Sequence, residues 1–286
     1  KKTLWSHDFI IITLGTLISA IGSTAMSFAL SLVVFDHTSS TLMTGIFTAI
    51  SLMPTVLIPI LAAPLVDGCC RKRLIAMLDS GNGILYLLFA AFLLMQEFSY
   101  AGYLIFSLLT ASFGAIYSLA YSSLYPDLIP KGFAQKGYSV SSLIYPSVTA
   151  LFTPVASLLY VHLGIAWICA MEGILLLTAA LFEARIRYQE TIGKRVFTLQ
   201  KYKADLMDGF RYLKKEKGIR SIYGYMAVTN ASAEGINLVT MAMFQSSPIL
   251  TTTMYAFLTT ADTIGRMAGG LMHYVLHIPA KKRYRV

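Results

Sequence analysis

Five ionisable side chains lie inside long apolar stretches of this 286-residue sequence: Asp79, Glu172, Glu234, Asp262 and Arg266. A charge is costly to bury in a hydrocarbon environment, so such residues usually mark a transport pathway, an ion pair or a proton site. Glu172 and Glu234 have no basic residue within a helical turn of them. Because desolvation disfavours the charged form of a carboxyl group, we predict that these two bind and release protons.

The other three residues have neighbours that can neutralise them. Asp262 and Arg266 are four residues apart, which places them on one helix face as an ion pair. Asp79 follows the basic run at residues 71–73 by less than two helical turns, so it can pair with that run.

For the two glutamates, the alternative role is a hydrogen bond to a neighbouring helix without any part in transport.

No arrangement of residues indicates enzyme or metal chemistry. The histidines are scattered, at His7, His37, His162, His273 and His277. The sequence contains neither a nucleophile motif nor a phosphate-binding loop. Its three cysteines do not make a disulfide framework, since two are adjacent and one lies in an apolar stretch. We therefore predict no catalytic activity, no cofactor and no bound metal.

The apolar stretches indicate an all-α integral membrane protein. The mean hydropathy is +0.64 and 13% of the residues are charged, against about 25% in soluble domains. Of the 23 Lys and Arg residues, 22 fall into five clusters, at residues 1–2, 71–73, 131–136, 185–220 and 281–285. Two apolar segments separate each cluster from the next. Because cytoplasmic loops carry the Lys and Arg excess, this pattern predicts eight transmembrane helices with both N- and C-termini in the cytoplasm.

The predicted spans are residues 9–35, 41–66, 74–95, 100–125, 138–161, 165–184, 221–245 and 250–278, each long enough to cross a bilayer. Pro126 is expected to end the fourth span. A short turn around His162 and Gly164 is expected to join the fifth and sixth. The net charge of +9 then faces anionic lipid headgroups, which excludes nucleic acid as the expected partner.

The longest polar segment divides the predicted spans into two groups. We expect a six-helix half-bundle at residues 1–184, a basic cytoplasmic linker at 185–220 and a partial half-bundle of two helices at 221–286. An apolar stripe at helical spacing runs along the linker at Tyr202, Leu206, Phe210 and Leu213. It predicts an amphipathic helix that lies on the inner membrane surface or against the bundle.

Two short motifs carry a resemblance to a known family. The loop after the second span runs Asp67-Gly68-Cys69-Cys70-Arg71-Lys72-Arg73. In type and spacing, Asp67, Arg71 and Lys72 match the loop signature of the major facilitator superfamily, whereas Ala63, Gly68 and Cys70 depart from it. In the fifth span, Thr153-Pro154-Val155-Ala156-Ser157 resembles the Gly-Pro-rich motif of the antiporter branch, with small residues in place of the glycines.

The resemblance implies a fold and a function. Members have two six-helix halves around a site at the membrane midplane, so the sequence resembles a twelve-helix transporter truncated after its eighth helix. The charge-free first span and the run Leu128-Ile129-Pro130 resemble bacterial efflux members of the macrolide and multidrug type. We expect proton-coupled efflux of a hydrophobic or amphipathic small molecule by alternating access, in the cell membrane and as a monomer. A set of aromatic residues would line the pocket: Phe28, Phe35, Tyr86, Phe106, Tyr117, Tyr121, Tyr145 and Phe152.

Alternatives remain for both the motif and the function. Asp67 with Arg71 would act as a latch on the outward-open state, since an acid at a helix end can bind the N-terminal amides of a neighbouring helix or an arginine. It could instead only offset the local basic charge. The alternatives to drug efflux are export of a siderophore or a lysophospholipid, and a truncated membrane protein or scaffold without transport activity.

Overall fold

In the computed structural model, the described parts of the chain are residues 3–38, 40–95, 98–190, 199–246 and 252–275. Within them the chain forms helices and no strand. The helices are α1 His7–Thr38, α2 Thr41–Asp67, α3 Arg71–Met95, α4 Tyr100–Leu128, α5 Ala134–Glu183, α6 Leu199–Lys215, α7 Lys217–Ser246 and α8 Thr252–Val275. The predicted all-α class is confirmed.

Contacts divide the chain into two units, one comprising Lys1–Arg195 with Gly269–Val286 and the other Val196–Ala268. In the first unit, α1 and α3 both pack on α5, and α2 packs on α4. In the second, α6 packs on the start of α7. The sequence-based division into residues 1–184, 185–220 and 221–286 stays a prediction.

Helix α5 reverses direction at Gly164, where φ is 75° and ψ is 173°. Before this residue, Ile144 packs on Ala20 and the Tyr160 hydroxyl donates to Asp36, so the first segment runs parallel to α1. After it, Glu172 and then Glu183 contact positions progressively nearer the start of α1, so the second segment runs antiparallel to it. A positive φ favours glycine, and the break lies where the sequence predicts a turn.

Among the described residues, five helical segments are long and apolar enough to cross a membrane: His7–Ser27, Leu42–Asp67, Arg71–Met95, Tyr100–Leu128 and Leu158–Glu183. Their outward faces carry large exposed apolar side chains, such as Leu52 and Val56 of α2, as lipid-facing helices do. The predicted spans at 138–161, 221–245 and 250–278 include residues whose side chains lie outside the described part of the chain. For these three, membrane crossing stays a prediction.

The end of α4 differs from the prediction at Pro126. The helix continues through this proline to Leu128, because the φ that the ring fixes is one that a helix already has, and the N–H missing at Pro126 removes only one helical hydrogen bond close to the helix end. The helix ends at Ile129, which is extended, with φ −80° and ψ 123°. Ile129 precedes Pro130, and a residue before proline is driven out of the helical region. The stop signal is therefore the second proline.

Two of the apolar clusters of the first unit lie at different depths. One surrounds Phe9, Ile12 and Leu124, near the start of α1 and the end of α4. The other surrounds Val34, Phe89 and other residues towards the opposite ends of these helices. Between the clusters, the inward faces of α1, α3 and α4 carry polar side chains. This polar layer lies near the middle of the helices, where the site is found.

Glycines allow α3 and α5 to approach closely beside this layer. A Cβ added to Gly83 would lie 2.9 Å from the carbonyl oxygen of Gly173, and a Cβ added to Gly173 would lie 2.9 Å from that of Gly83. Small residues at such crossings are the usual basis of close helix packing in membranes.

We expect Gly83→Ala to lower the stability of the folded protein by ~1–3 kcal/mol, because two backbones must separate. The melting temperature of the purified protein in detergent measures the change. Gly45→Ala is the matched control, since a Cβ at Gly45 meets nothing within 4 Å. An equal melting temperature for wild type and Gly83→Ala would show that the contact is dispensable.

Membrane orientation follows from labelling of cysteines with an impermeant maleimide. Cys69 is exposed in the loop between α2 and α3, which the charge pattern places in the cytoplasm. We expect it to react only after the membrane is permeabilised. A cysteine at position 163, in Leu163→Cys, should react in intact cells, since Leu163 is 52% exposed next to the Gly164 turn. The reverse pattern would overturn the predicted topology.

Candidate functional site

A cavity of about 480 Å³ opens in the polar layer between α1, α3, α4 and α5. Tyrosine rings and hydroxyl groups make up much of its wall, together with Asp79, Asn82 and Glu172. The tyrosines are Tyr86, Tyr117, Tyr121 and Tyr145, and the hydroxyl residues include Thr16, Ser19, Ser23, Ser107, Thr110 and Ser141. Among the described residues that line it, none is Lys, Arg or His.

Three carboxyl groups are buried at or beside this cavity. Asp79, Glu172 and Glu183 are 5%, 2% and 0% exposed. Asp79 is close enough to each of the two glutamates for their charges to repel. Only Asp79 and Glu172 line the cavity, whereas Glu183 lies behind the ring of Tyr117.

The face of α1 at Gly15, Ser19 and Gly22 receives these three acids. The side chain of Glu183 packs on Gly15, with its Cγ 3.6 Å from where a Cβ would stand. Asp79 lies beside Ser19. The carboxyl group of Glu172 occupies the space that a Cβ of Gly22 would fill. Residues four and three positions apart share one helix face, so the acids follow one another along α1.

Hydrogen bonds satisfy this layer only in part. The Tyr117 hydroxyl donates to Glu183 Oε1 at 2.6 Å, and the Thr16 hydroxyl donates to the Tyr121 hydroxyl at 3.0 Å. Asp79 Oδ2, Glu172 Oε2 and Glu183 Oε2 are buried and have no hydrogen-bond partner among the described groups. A buried acceptor without a partner is costly, and a proton on the acid would lower that cost.

A second polar site lies at the start of α3, formed by Asp67, Arg71, Lys72, Asp127 and Glu190, here named the loop cluster. Arg71 lies 3.4 Å from Asp67 and 4.0 Å from Asp127 of α4. Glu190 accepts the backbone N–H groups of Arg71 at 3.0 Å and Lys72 at 2.7 Å. These are free amides of a helix N-terminus, where a carboxylate is stabilised by the helix dipole.

The segment that follows α5 completes the loop cluster. Lys72 Nζ donates to the carbonyl of Ile186 at 2.9 Å. Tyr188 is hydrogen-bonded to Asp127, and desolvation, the charge of Asp127 and this bond together raise the pKa of Tyr188 above its usual 10.0. The phenol therefore stays protonated at physiological pH. The cluster ties α2, α3 and α4 to the chain leaving α5.

A family comparison decides the class of the protein. The family model of the Major Facilitator Superfamily matches residues 12–283 of the chain. The chain belongs to the major facilitator superfamily. It is therefore a multi-pass membrane transporter that binds small-molecule substrates within a lipid bilayer. No curated protein and no solved structure matches it.

Of the two predicted proton sites of this transporter, the structure describes the side chain of only one. Glu172 lies in the cavity wall and is buried, and it has no basic neighbour among the described lining residues. Glu234 belongs to α7, but its side chain lies outside the described part of the chain. Proton binding at either stays a prediction. Asp79 lies in the cavity wall, whereas Arg71 of the basic run contacts Asp67 and Asp127.

Glu183 is the acid that the sequence analysis missed, because it stands at the end of the sixth span. A usable signal was present: Glu172 and Glu183 are eleven residues apart, close to three full turns of an α-helix. They therefore share the buried face of α5 with Leu176 and Ala179. Tyr117, the hydrogen-bond partner of Glu183, was predicted only as an aromatic residue of the pocket. No sequence pattern connects these two residues, because they are 66 positions apart.

The loop motif differs in one respect from the expected latch. Asp67 contacts the Arg71 side chain, but Glu190 is the acid that binds the amides of α3. Asp67 ends its own helix and precedes α3 by a short loop, whereas Glu190 comes back to α3 from the end of α5. A role for Asp67, Arg71 and Lys72 in gating stays a prediction.

The antiporter-like motif, the predicted ion pair and the aromatic set lie in different surroundings in the structure. In the antiporter-like motif, Ala156 is buried in an apolar cluster, and the side chains of Thr153, Pro154 and Ser157 lie outside the described part. Arg266 Nε lies 2.9 Å from Asp262 Oδ2 in an exposed pair. Of the aromatic set, the four tyrosines line the cavity, Phe106 packs in a core cluster and Phe152 is half-buried. The side chains of Phe28 and Phe35 lie outside the described part.

Metal ligation finds no support in the described residues. Among them, no group of three or more His, Cys, Asp or Glu side chains could hold a metal ion. Cys69 is exposed, Cys70 is half-buried with its Sγ 3.9 Å from Glu190 Oε1, and Cys169 is buried in an apolar cluster.

We expect Glu190→Ala to destabilise the protein by ~0.5–2 kcal/mol, the usual cost of losing a helix N-cap. Two amides of α3 lose their acceptor in this variant. Thermal unfolding of the purified protein in detergent provides the measurement. Wild type is the reference, and a melting temperature of Glu190→Ala equal to that of wild type would rule out a stabilising role for Glu190.

Proposed function

We propose that this transporter exports a hydrophobic or amphipathic small molecule across the cell membrane in exchange for protons, by alternating access. The observation that carries the proposal is the burial of Glu172 and Asp79 on a central cavity whose described lining contains no basic residue. Intramembrane acids without a basic partner are characteristic of proton pathways.

The electrostatics of the two acids favour a shared proton. Two unit charges about 6 Å apart repel by roughly 3 kcal/mol at an effective dielectric constant of about 20. Glu172 and Asp79 also lose hydration on burial, so the state with both ionised is unfavourable. Binding of one proton relieves the repulsion and leaves a single negative charge on the cavity wall.

That proton couples to transport by linkage. If the proton and the substrate bind with different affinities to the inward-open and outward-open states, each shifts the same equilibrium. Release of the proton restores the second charge and favours the state in which water reaches the acids. The likeness of residues 153–157 to an antiporter motif supports export over import.

The cavity wall supports the substrate class. A volume of about 480 Å³ lies within the roughly 300–1,000 Å³ of small-molecule pockets. Four tyrosine rings offer flat apolar surface, and the adjacent hydroxyl groups offer hydrogen bonds. Such a wall suits a ligand with a hydrophobic body and a few polar atoms.

The experiment uses the chain reconstituted in liposomes and rhodamine 6G as a fluorescent hydrophobic probe. We expect Glu172→Gln to lower the pH-gradient-driven rate at least about tenfold, a typical loss for a proton-transfer group, because the amide cannot release a proton. Glu234→Gln tests the second predicted site. Glu216→Gln should leave the rate unchanged, since Glu216 is exposed. Undiminished pH-dependent transport in both Glu172→Gln and Glu234→Gln would refute proton coupling at these residues.

A further inference from the structure

The three buried acids form an ordered series along α1. Glu183 packs on Gly15, Asp79 lies beside Ser19 and Glu172 packs on Gly22. At a rise of 1.5 Å per residue, the contact positions on α1 are about 6 Å and about 4.5 Å apart along the helix axis. Asp79 therefore stands between the two glutamates, within electrostatic reach of both.

Tyr117 separates the last acid of the series from the cavity. Its ring lines the cavity, while its hydroxyl donates to Glu183 Oε1 at 2.6 Å. Tyr117 is also within electrostatic reach of Asp79. A tyrosine hydroxyl can donate one hydrogen bond and accept another, so Tyr117 can link the cavity acid to Glu183.

Glu183 stands at the end of the series nearest the loop cluster. It is the last residue of α5, and Glu190, seven residues later, already binds the first amides of α3. By the charge pattern, the start of α3 is cytoplasmic. Tyr117 donates to Glu183 Oε1, so this oxygen is the one that can take a proton from the Tyr117 hydroxyl, while Glu183 Oε2 has no hydrogen-bond partner among the described groups.

We infer that Glu172, Asp79, Tyr117 and Glu183 form a proton path from the central cavity to the cytoplasmic side. In the transfer step, the carboxylic acid of Asp79 gives its proton to the Tyr117 oxygen, and the Tyr117 hydroxyl gives its own proton to the Glu183 carboxylate. Asp79 ends as a carboxylate, Glu183 as a carboxylic acid and Tyr117 unchanged. The inference rests on the proposed proton coupling and adds the route by which the proton leaves.

The groups around the path are consistent with proton passage. The titratable side chains that face the acids from α3, α4 and α5 are Tyr86, Tyr121, Tyr145 and Cys169. From α1, they are faced by the uncharged residues Gly15, Thr16, Ser19 and Gly22. Among the described residues, no cation lines the cavity to hold the acids permanently ionised.

A competing role for Tyr117 and Glu183 is purely structural, as a hydrogen bond that holds α4 on α5. Two measurements in one preparation distinguish the roles. The full chain is reconstituted in liposomes of phosphatidylethanolamine and phosphatidylglycerol with rhodamine 6G as the probe. Exchange of radiolabelled for unlabelled dye without a pH gradient needs no net proton movement, whereas dye movement driven by a pH gradient does.

We expect Tyr117→Phe and Glu183→Gln each to lower gradient-driven movement at least about tenfold, a typical loss for a proton-transfer group, while dye exchange stays at the wild-type rate. Glu183→Asp keeps a carboxyl group and should retain more of the driven rate than Glu183→Gln. Tyr103→Phe is the matched control, because Tyr103 is a buried tyrosine of α4 that does not line this cavity. Both of its rates should equal those of wild type.

Three outcomes would overturn the path. Wild-type driven rates in Tyr117→Phe and Glu183→Gln, with a loss in Glu172→Gln, would remove the path and leave the proposed function intact. Parallel loss of driven movement and exchange in these two variants would assign the pair a structural role. A wild-type chain that moves no dye in response to a pH gradient would overturn the path and the proposed function together.

Discussion

Three carboxyl groups of the first unit are buried against one face of α1, and the packing of α1, α3, α4 and α5 is arranged around them. Burial of charge is the most costly term in such a structure. The cost is limited in two ways. Glycine on α1 leaves room for one of the side chains, at Gly22, where any larger residue would displace Glu172. Protonation would remove the charge itself, as the proposed proton coupling requires.

Two apolar clusters flank the polar layer, one around Phe9 and the other around Phe89. The cavity between them is open to its surroundings. In the proposed mechanism, alternating access would expose this site to one side of the membrane at a time.

The loop cluster and the acid series share one element, the C-terminal part of α5. This segment carries Glu172 and Glu183 on its buried face and continues to Glu190, which binds the amides of α3. Asp79 lies on α3, two turns beyond those amides. Any shift of α5 relative to α3 therefore alters both the spacing of the acids and the contacts of the loop cluster. This is a physical connection between the loop cluster and the cavity.

The sequence by itself determined the helical class, the turn at Gly164, the α2–α3 loop and the position of Glu172 inside an apolar helix, because hydropathy, charge clusters and isolated acids are local properties of the chain. The stop of α4 was misplaced by three residues because two prolines competed for it. Only the tertiary structure decided that Asp79 faces Glu172, that Glu183 meets Tyr117 and that Glu190 binds α3. The residues of each pair are 66 to 119 positions apart in the sequence. Whether they meet depends on the rotation of one helix against another, which all the packed side chains set together.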